Sequence, residues 1–256
     1  MKIPAIKGVI RRRVLLNYRI EPALVQNILP NNFSPKLVDG HAIAGICLIR
    51  LEEIRPKGIP GVFGLSSENS AHRIAVEWDD AEGRRCEGVF VPRRDTSSLI
   101  NAFAGGRIFP GVHHRSRFTV TDRDGKIDFR VEANDHSSPL VELTARETGE
   151  FPEASVFKTL DDSSRFFEAG HVGYSARPHS CTLDGLRLVV PRWKVSPLKV
   201  EAVRSAFFDD ISLFPKDRIQ FDHALLMRDI QHEWHSEPPM TDKPGEISQR
   251  SEDRSQ

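Results

Sequence analysis

Arginine accounts for 26 of the 36 basic residues in this 256-residue chain. Several arginines stand inside apolar segments or beside prolines rather than in solvated charge runs. A guanidinium grips a carboxylate or phosphate through two parallel hydrogen bonds, so arginines placed this way can build an anion pocket, although an arginine on a strand often only faces solvent. The densest local group is Glu87-Gly88-Val89-Phe90-Val91-Pro92-Arg93-Arg94-Asp95. Alternation puts Glu87, Val89 and Val91 on one strand face and Phe90 on the other. If the Glu87 face lines a cavity, its carboxylate is desolvated and suited to carrying a proton or pairing with Arg93; otherwise it is a surface glutamate paired with Arg85.

Other chemistries find less support. The chain contains no G-x-G-x-x-G, P-loop, G-x-S-x-G or H-E-x-x-H pattern, which removes the usual marks of nucleotide binding, serine hydrolysis and zinc proteolysis. His232 and His235 would meet on a helix face but point apart on a strand, and no carboxylate completes a ligand set with them, with His113-His114 or with His223. No metal or cofactor is expected. Cys47, Cys86 and Cys181 are too widely spaced for a zinc site or disulfide framework, which suits a reducing cytoplasm.

The elements that must position these groups read mainly as strands. Residues 9–20 alternate, and Glu21-Pro22 opens a short helix. Residues 42–54 are nearly continuous in aliphatics and suit a central strand covered on both faces. Residues 55–67 hold two prolines and three glycines and read as a long loop. Hairpins are expected over 72–78 with 84–91, the latter stopped by Pro92, and over 118–121 with 126–133 around an Asp124-Gly125 turn. Residues 140–148, 181–190 and 218–230 read as strands; 96–103, 160–169 and 197–207 read as helices, the first capped by Gly105-Gly106. Short helices and turn-type connections predict a mainly β (α+β) fold, a curved antiparallel sheet or barrel with a few peripheral helices. Residues 1–236 are expected to form one domain and 237–256 a disordered tail.

Acidic and basic residues balance at 36 each, so no global field attracts nucleic acid, and no apolar run reaches membrane-spanning length. The first thirteen residues lack the apolar core of an export signal. The expectation is a cytoplasmic protein without nucleic-acid or membrane partners.

Two resemblances add to this reading. Leu15-Leu16-Asn17-Tyr18-Arg19-Ile20-Glu21-Pro22-Ala23-Leu24, followed by Ile28-Leu29-Pro30, resembles the strand, Tyr-Arg pair and short helix that open acetoacetate decarboxylase and its relatives. Residues 87–94 resemble that family's glutamate followed, at the same spacing, by a proline and two adjacent lysines. A closer likeness, over residues 10–235, is to a bacterial branch of the superfamily called domain of unknown function 2071. Its marks are Asp39-Gly40, Arg55-Pro56-Lys57-Gly58-Ile59-Pro60, Glu68-Asn69 with Arg73, and Ala224-Leu225-Leu226-Met227-Arg228 before His232-Glu233-Trp234.

In the decarboxylases, the first lysine of the pair forms a Schiff base and the second lowers its pKa. Here Arg93 and Arg94 occupy those places, and a permanently protonated guanidinium cannot form an imine. The resemblance therefore implies a pocket for a small organic acid or keto compound, with Arg93, Arg94 and Glu87 as catalytic candidates and Arg11 and Glu68 as substrate-binding ones. The expected activity is an imine-independent lyase or isomerase step, the arginines clamping a carboxylate or enolate while Glu87 moves the proton. The alternative is a non-catalytic binding or structural module on the same scaffold. Lys57, Lys158 and Lys194 are the other amines considered. Assembly into homo-oligomers is what the resemblance implies.

Overall fold

A computed structural model describes residues 5–98, 110–134 and 139–242. Strands dominate, in chain order β1 (Ile6–Ile20), β2 (Ser34–Pro35), β3 (Leu37–Val38), β4 (His41–Pro56), β5 (Leu65–Asp79), β6 (Arg85–Thr96), β7 (His113–Arg123), β8 (Lys126–Ala133), β9 (Pro139–Glu147), β10 (Val172–Ala176), β11 (Thr182–Val189), β12 (Ser196–Ser205) and β13 (Ile219–Thr241). Helix α1 (Pro22–Gln26) follows β1, and α2 (Leu160–Ala169) precedes β10. The Thr159 side chain caps α2 by accepting the Asp162 amide, and Asp161 and Asp162 complement the dipole of its first turn.

The strands form one mixed sheet that closes on itself twice. Pairing of β5 with β6 closes a ring through β7, β8, β9, β12, β13, β1 and β4. Pairing of β11 with β13 closes a second ring through β10, β6, β5, β4 and β1. Strands β6, β5, β4, β1 and β13 are thus a wall shared by both rings. Successive side chains on a strand point to opposite faces, so a shared wall must be apolar on both. This is why residues 42–49 of β4 are all buried. Leu16, Ile46, Leu48 and Ile74 point to one side and pack with Phe129 and Leu143. Leu15, Cys47, Ile49 and Ala75 point to the other and pack with Phe157 and Phe167.

Closure of the second ring depends on a close approach. A Cβ on Gly88 would sit 2.4 Å from the Val172 carbonyl oxygen, where β10 meets β6 in parallel. The Asp124-Gly125 turn forms as expected, both residues having positive φ.

Four expectations are corrected. β6 does not stop at Pro92: a register shift opposite His72 and Ile74 accommodates the ring, which lacks a ladder N–H. Residues 197–207 are not helical, because most of them belong to β12, paired with β9 and β13. The long loop is shorter, since β4 reaches Pro56 and β5 begins at Leu65, with a 3-10 turn at Gly61–Phe63 between. β13 runs to Thr241, paired with β11, and takes in the first part of the expected tail. The 96–103 helix with its glycine cap, and residues 243–256, fall largely or wholly outside the described residues. No helix among the described residues is long and apolar enough to cross a membrane.

Candidate functional site

On the α2 side of the shared wall, the second ring surrounds a cavity of about 150 Å³, lined by Arg13, Cys47, Ser70, Arg73, Arg94 and Phe167 among others. That is room for a ligand of about benzene's size. Alternation supplies its apolar walls: Cys47, Ile49 and Leu51 from β4, and Val89 and Val91 from β6, all face inward. Trp193 and Trp234 complete them.

Three guanidinium groups meet this cavity, and none has a carboxylate in ion-pair range among the described residues. Arg13 donates from Nε to the Cys47 sulfur at 3.2 Å and lies 5.6 Å over the Trp193 ring. Arg73 donates to the side-chain oxygen of Asn17 and lies 4.6 Å over the Phe167 ring, its Nε without a partner. Arg94 reaches the Ser175 hydroxyl at 3.3 Å, its Nε also unpartnered. Burial pushes both Arg73 and Arg94 down to about 10, so they remain cations at neutral pH. Unsatisfied buried donors and uncompensated cations cost free energy unless a ligand supplies acceptors and charge.

Asp95 is the one carboxylate lining the cavity among the described residues. It accepts two hydrogen bonds from Arg93, at 2.9 and 3.0 Å, and one from Ser116 at 3.0 Å. His113, also on the wall, is pushed down to about 4 by burial and by Arg94, and is neutral at pH 7.

Behind Arg73 lies a buried chain of hydrogen bonds. Burial would raise the Asp222 carboxyl, but hydrogen bonds from His223, Ser155 and the Val156 amide outweigh it and keep the group below its ordinary value. An ionised Asp222, 2.6 Å from His223 Nδ1, requires that nitrogen to carry the proton. Nε2 must then accept, from Ser163 at 2.7 Å and Asn17 at 3.1 Å. Asn17 so oriented turns its oxygen to Arg73. Ser163, His223 and Asp222 match a nucleophile, base and orienting acid in sequence of contacts, yet Ser163 is fully buried. The chain anchors α2 and Arg73 to the shared wall.

Of the residues singled out in the sequence, Arg94 lines the cavity. Arg93 stands beside it, turned to Asp95 and a third exposed. Glu87 does share a face with Val89 and Val91, but lies farther along β6 and pairs with Lys36 rather than Arg85. Lys36 in turn lines a small hollow that shares Arg13 and Arg73 with the main cavity. Arg11 is at the surface, bridging Glu52 and Asp229. Glu68 points to the other side of the wall, paired with Arg12 at 2.8 Å; burial raises its carboxyl despite that partner. Lys57 pairs with Glu233, and Lys158 and Lys194 are exposed. Sequence reading missed Arg13 and Cys47 as wall residues. The available signal was a guanidinium inside an apolar run, as in Arg13-Val14-Leu15 and His72-Arg73-Ile74.

Comparison with known proteins places this geometry in context. A family model for an uncharacterized conserved protein matches residues 9–225. Among curated proteins no sequence match is found. Acetoacetate decarboxylase from Legionella pneumophila superposes with a TM-score of 0.59 at 14% identity, over 91% of this chain and 86% of that one. An acetoacetate decarboxylase-like enzyme from Sphingomonas wittichii RW1 gives 0.59 at 11% identity, over 94% of each chain. The enduracididine biosynthesis enzyme MppR, solved with pyruvate, gives 0.56 at 11% identity, over 95% of this chain and 91% of that one. At these identities the likeness is one of fold.

Proposed function

The chain belongs to the DUF2071 family, and from its arginine-lined cavity we propose that it binds a small 2-oxo carboxylic acid and acts on it without forming an imine. The observation that carries this reading is the convergence of Arg13, Arg73 and Arg94 on one small cavity, none of them with a carboxylate in ion-pair range among the described residues. A ligand carboxylate supplies the missing charge and accepts from the unpartnered Nε groups. The binding of pyruvate by MppR, on a similar fold, supports the ligand class. Imine-independence is supported by the cavity wall, which contains arginines and no lysine among the described residues.

The chemistry this arrangement favours is proton removal beside the ligand carbonyl. Guanidinium groups stabilise the enolate oxygen as charge develops there, which acidifies the neighbouring C–H. In this reading Arg94 takes the clamping role, Arg93 holds Asp95, and Glu87 is tied to Lys36.

The test is the thermal shift given by pyruvate and by its uncharged methyl ester, with deuterium exchange at the pyruvate methyl group followed by NMR. Pyruvate should raise the melting temperature, the ester should not, and exchange should be accelerated. Equal shifts from acid and ester, or none from either, would exclude the anion site. Borohydride trapping of pyruvate on any lysine, Lys36 included, would exclude the imine-independent mechanism.

A further inference from the structure

Cys47 is the nucleophilic side chain of the cavity wall that the proposed chemistry leaves unused. It sits on β4 opposite Leu15 of β1 and Ala71 of β5. Alternation turns its sulfur to the cavity with Ile49 and Leu51. The thiol is buried, at 7% exposure, yet on a wall that a ligand reaches. Arg13 donates to the sulfur at 3.2 Å, and Arg73 and Arg94 line the same space.

A second feature points independently to a ligand there. Arg73 is 4% exposed, lines the cavity and has no hydrogen-bond partner for its buried Nε, and the buried Nε of Arg94 is in the same condition. An anionic molecule that satisfies these groups is brought beside the sulfur. Long-range attraction by three cations concentrates such molecules relative to neutral ones of the same size.

We propose that Cys47 is a covalent docking point, its sulfur adding reversibly to the carbonyl carbon of the carboxylate-bearing ligand to give a thiohemiketal. The S–C bond forms as the carbonyl π bond breaks, and the thiol proton ends on the former carbonyl oxygen, so the step needs no oxidant or further reactant. Arg13, already bonded to the sulfur, is placed to donate to that oxygen. This inference rests on the keto-acid reading of the cavity and adds a specific attachment atom to it.

Two measurements on the full-length protein test it. In the first, iodoacetate and iodoacetamide are compared as alkylating agents, with modification mapped by mass spectrometry. Cys47 should react about tenfold or more faster with the anionic reagent, while exposed Cys181 shows no such preference, and pyruvate should protect Cys47. In the second, carbon-13 NMR of pyruvate labelled at its carbonyl should show a protein-bound resonance in the tetrahedral-carbon region, absent from Cys47→Ser. That variant should keep a thermal shift with pyruvate, because the arginines remain. If wild type and Cys47→Ser both bind pyruvate, with neither a bound tetrahedral resonance nor anion-selective alkylation, the covalent step is wrong and the cavity reading stands. If pyruvate gives no shift with wild type, the cavity reading and the covalent step fall together.

Discussion

The guanidinium of Arg73 is held by the side-chain oxygen of Asn17 and not by a carboxylate. The nearest carboxylate along its hydrogen-bond chain is Asp222, two residues further back through His223. A neutral acceptor fixes the cation's position without cancelling its charge, which leaves the positive field available inside the cavity. Direct pairing with Asp222 would have satisfied the guanidinium and silenced the site.

Asn17→Asp should therefore separate position from charge. The new carboxylate still accepts from Arg73 but neutralises it, so pyruvate affinity should fall about tenfold or more while the fold persists. Asn17→Ala should instead lower stability by about 1–3 kcal/mol, since it leaves buried polar groups on Arg73 and His223 short of a partner. Calorimetric titration and urea denaturation measure the two effects; an Asp variant binding as tightly as wild type would show that Arg73 does not serve the ligand.

The adjacent arginines on β6 should behave oppositely. Arg94→Gln removes a cation with no acidic partner among the described residues, so binding of an anion should weaken at least about tenfold with little loss of stability, or a gain. Arg93→Gln strips the buried Asp95 of its ion pair and should cost about 1–3 kcal/mol of stability, the discount reflecting the partial exposure of Arg93. Equal melting temperatures and equal affinities for the two variants would contradict the division of labour.

Acid should destabilise the fold well before its carboxylates are protonated. His72, His113 and His232 are each pushed down to about 4, principally by burial, against about 6.5 when unfolded. Between those values the unfolded chain binds more protons than the folded one, so stability falls as pH drops from about 6.5 toward 4, by an amount on the order of a few kcal/mol. Scanning calorimetry across this window should show a falling melting temperature, and His72→Gln should flatten the slope. A flat profile would mean that these imidazoles protonate in place.

Gly88→Ala probes ring closure. A methyl group at that position meets the Val172 carbonyl oxygen at 2.4 Å, so β10 must move away from β6, at a cost of about 1–3 kcal/mol. Because Val89 of β6 and Gly173 of β10 both line the cavity, the pyruvate-induced thermal shift should fall with stability. Retention of both would show that the parallel β6–β10 contact does not shape the site.

Much of the architecture was legible because local patterns carry it. The unbroken aliphatic run in β4 marks a strand covered twice, and the Asp124-Gly125 step marks its hairpin through positive φ. Where local pattern misled, a bulge was responsible. The register shift between Val200 and Ala202 places Leu198, Val200 and Val203 inward, a spacing of two then three residues that mimics a helix.

The sequence by itself determined the strand-rich composition, the arginines set among apolar neighbours, and the absence of lysine at positions 93 and 94. Only the tertiary structure decided which of those arginines meet. Alternation assigns a side chain to one of two faces but does not say which face is hollow, or where along the strand the hollow ends. Glu87 and Val89 share a face, yet one reaches Lys36 and the other the cavity. Arg13, Cys47, Arg73 and Arg94 come from four different strands, and they converge because the pairings of β11 with β13 and β6 with β10 close the second ring around them. That closure is a long-range event, fixed by packing between segments far apart in the chain, and no local spacing records it.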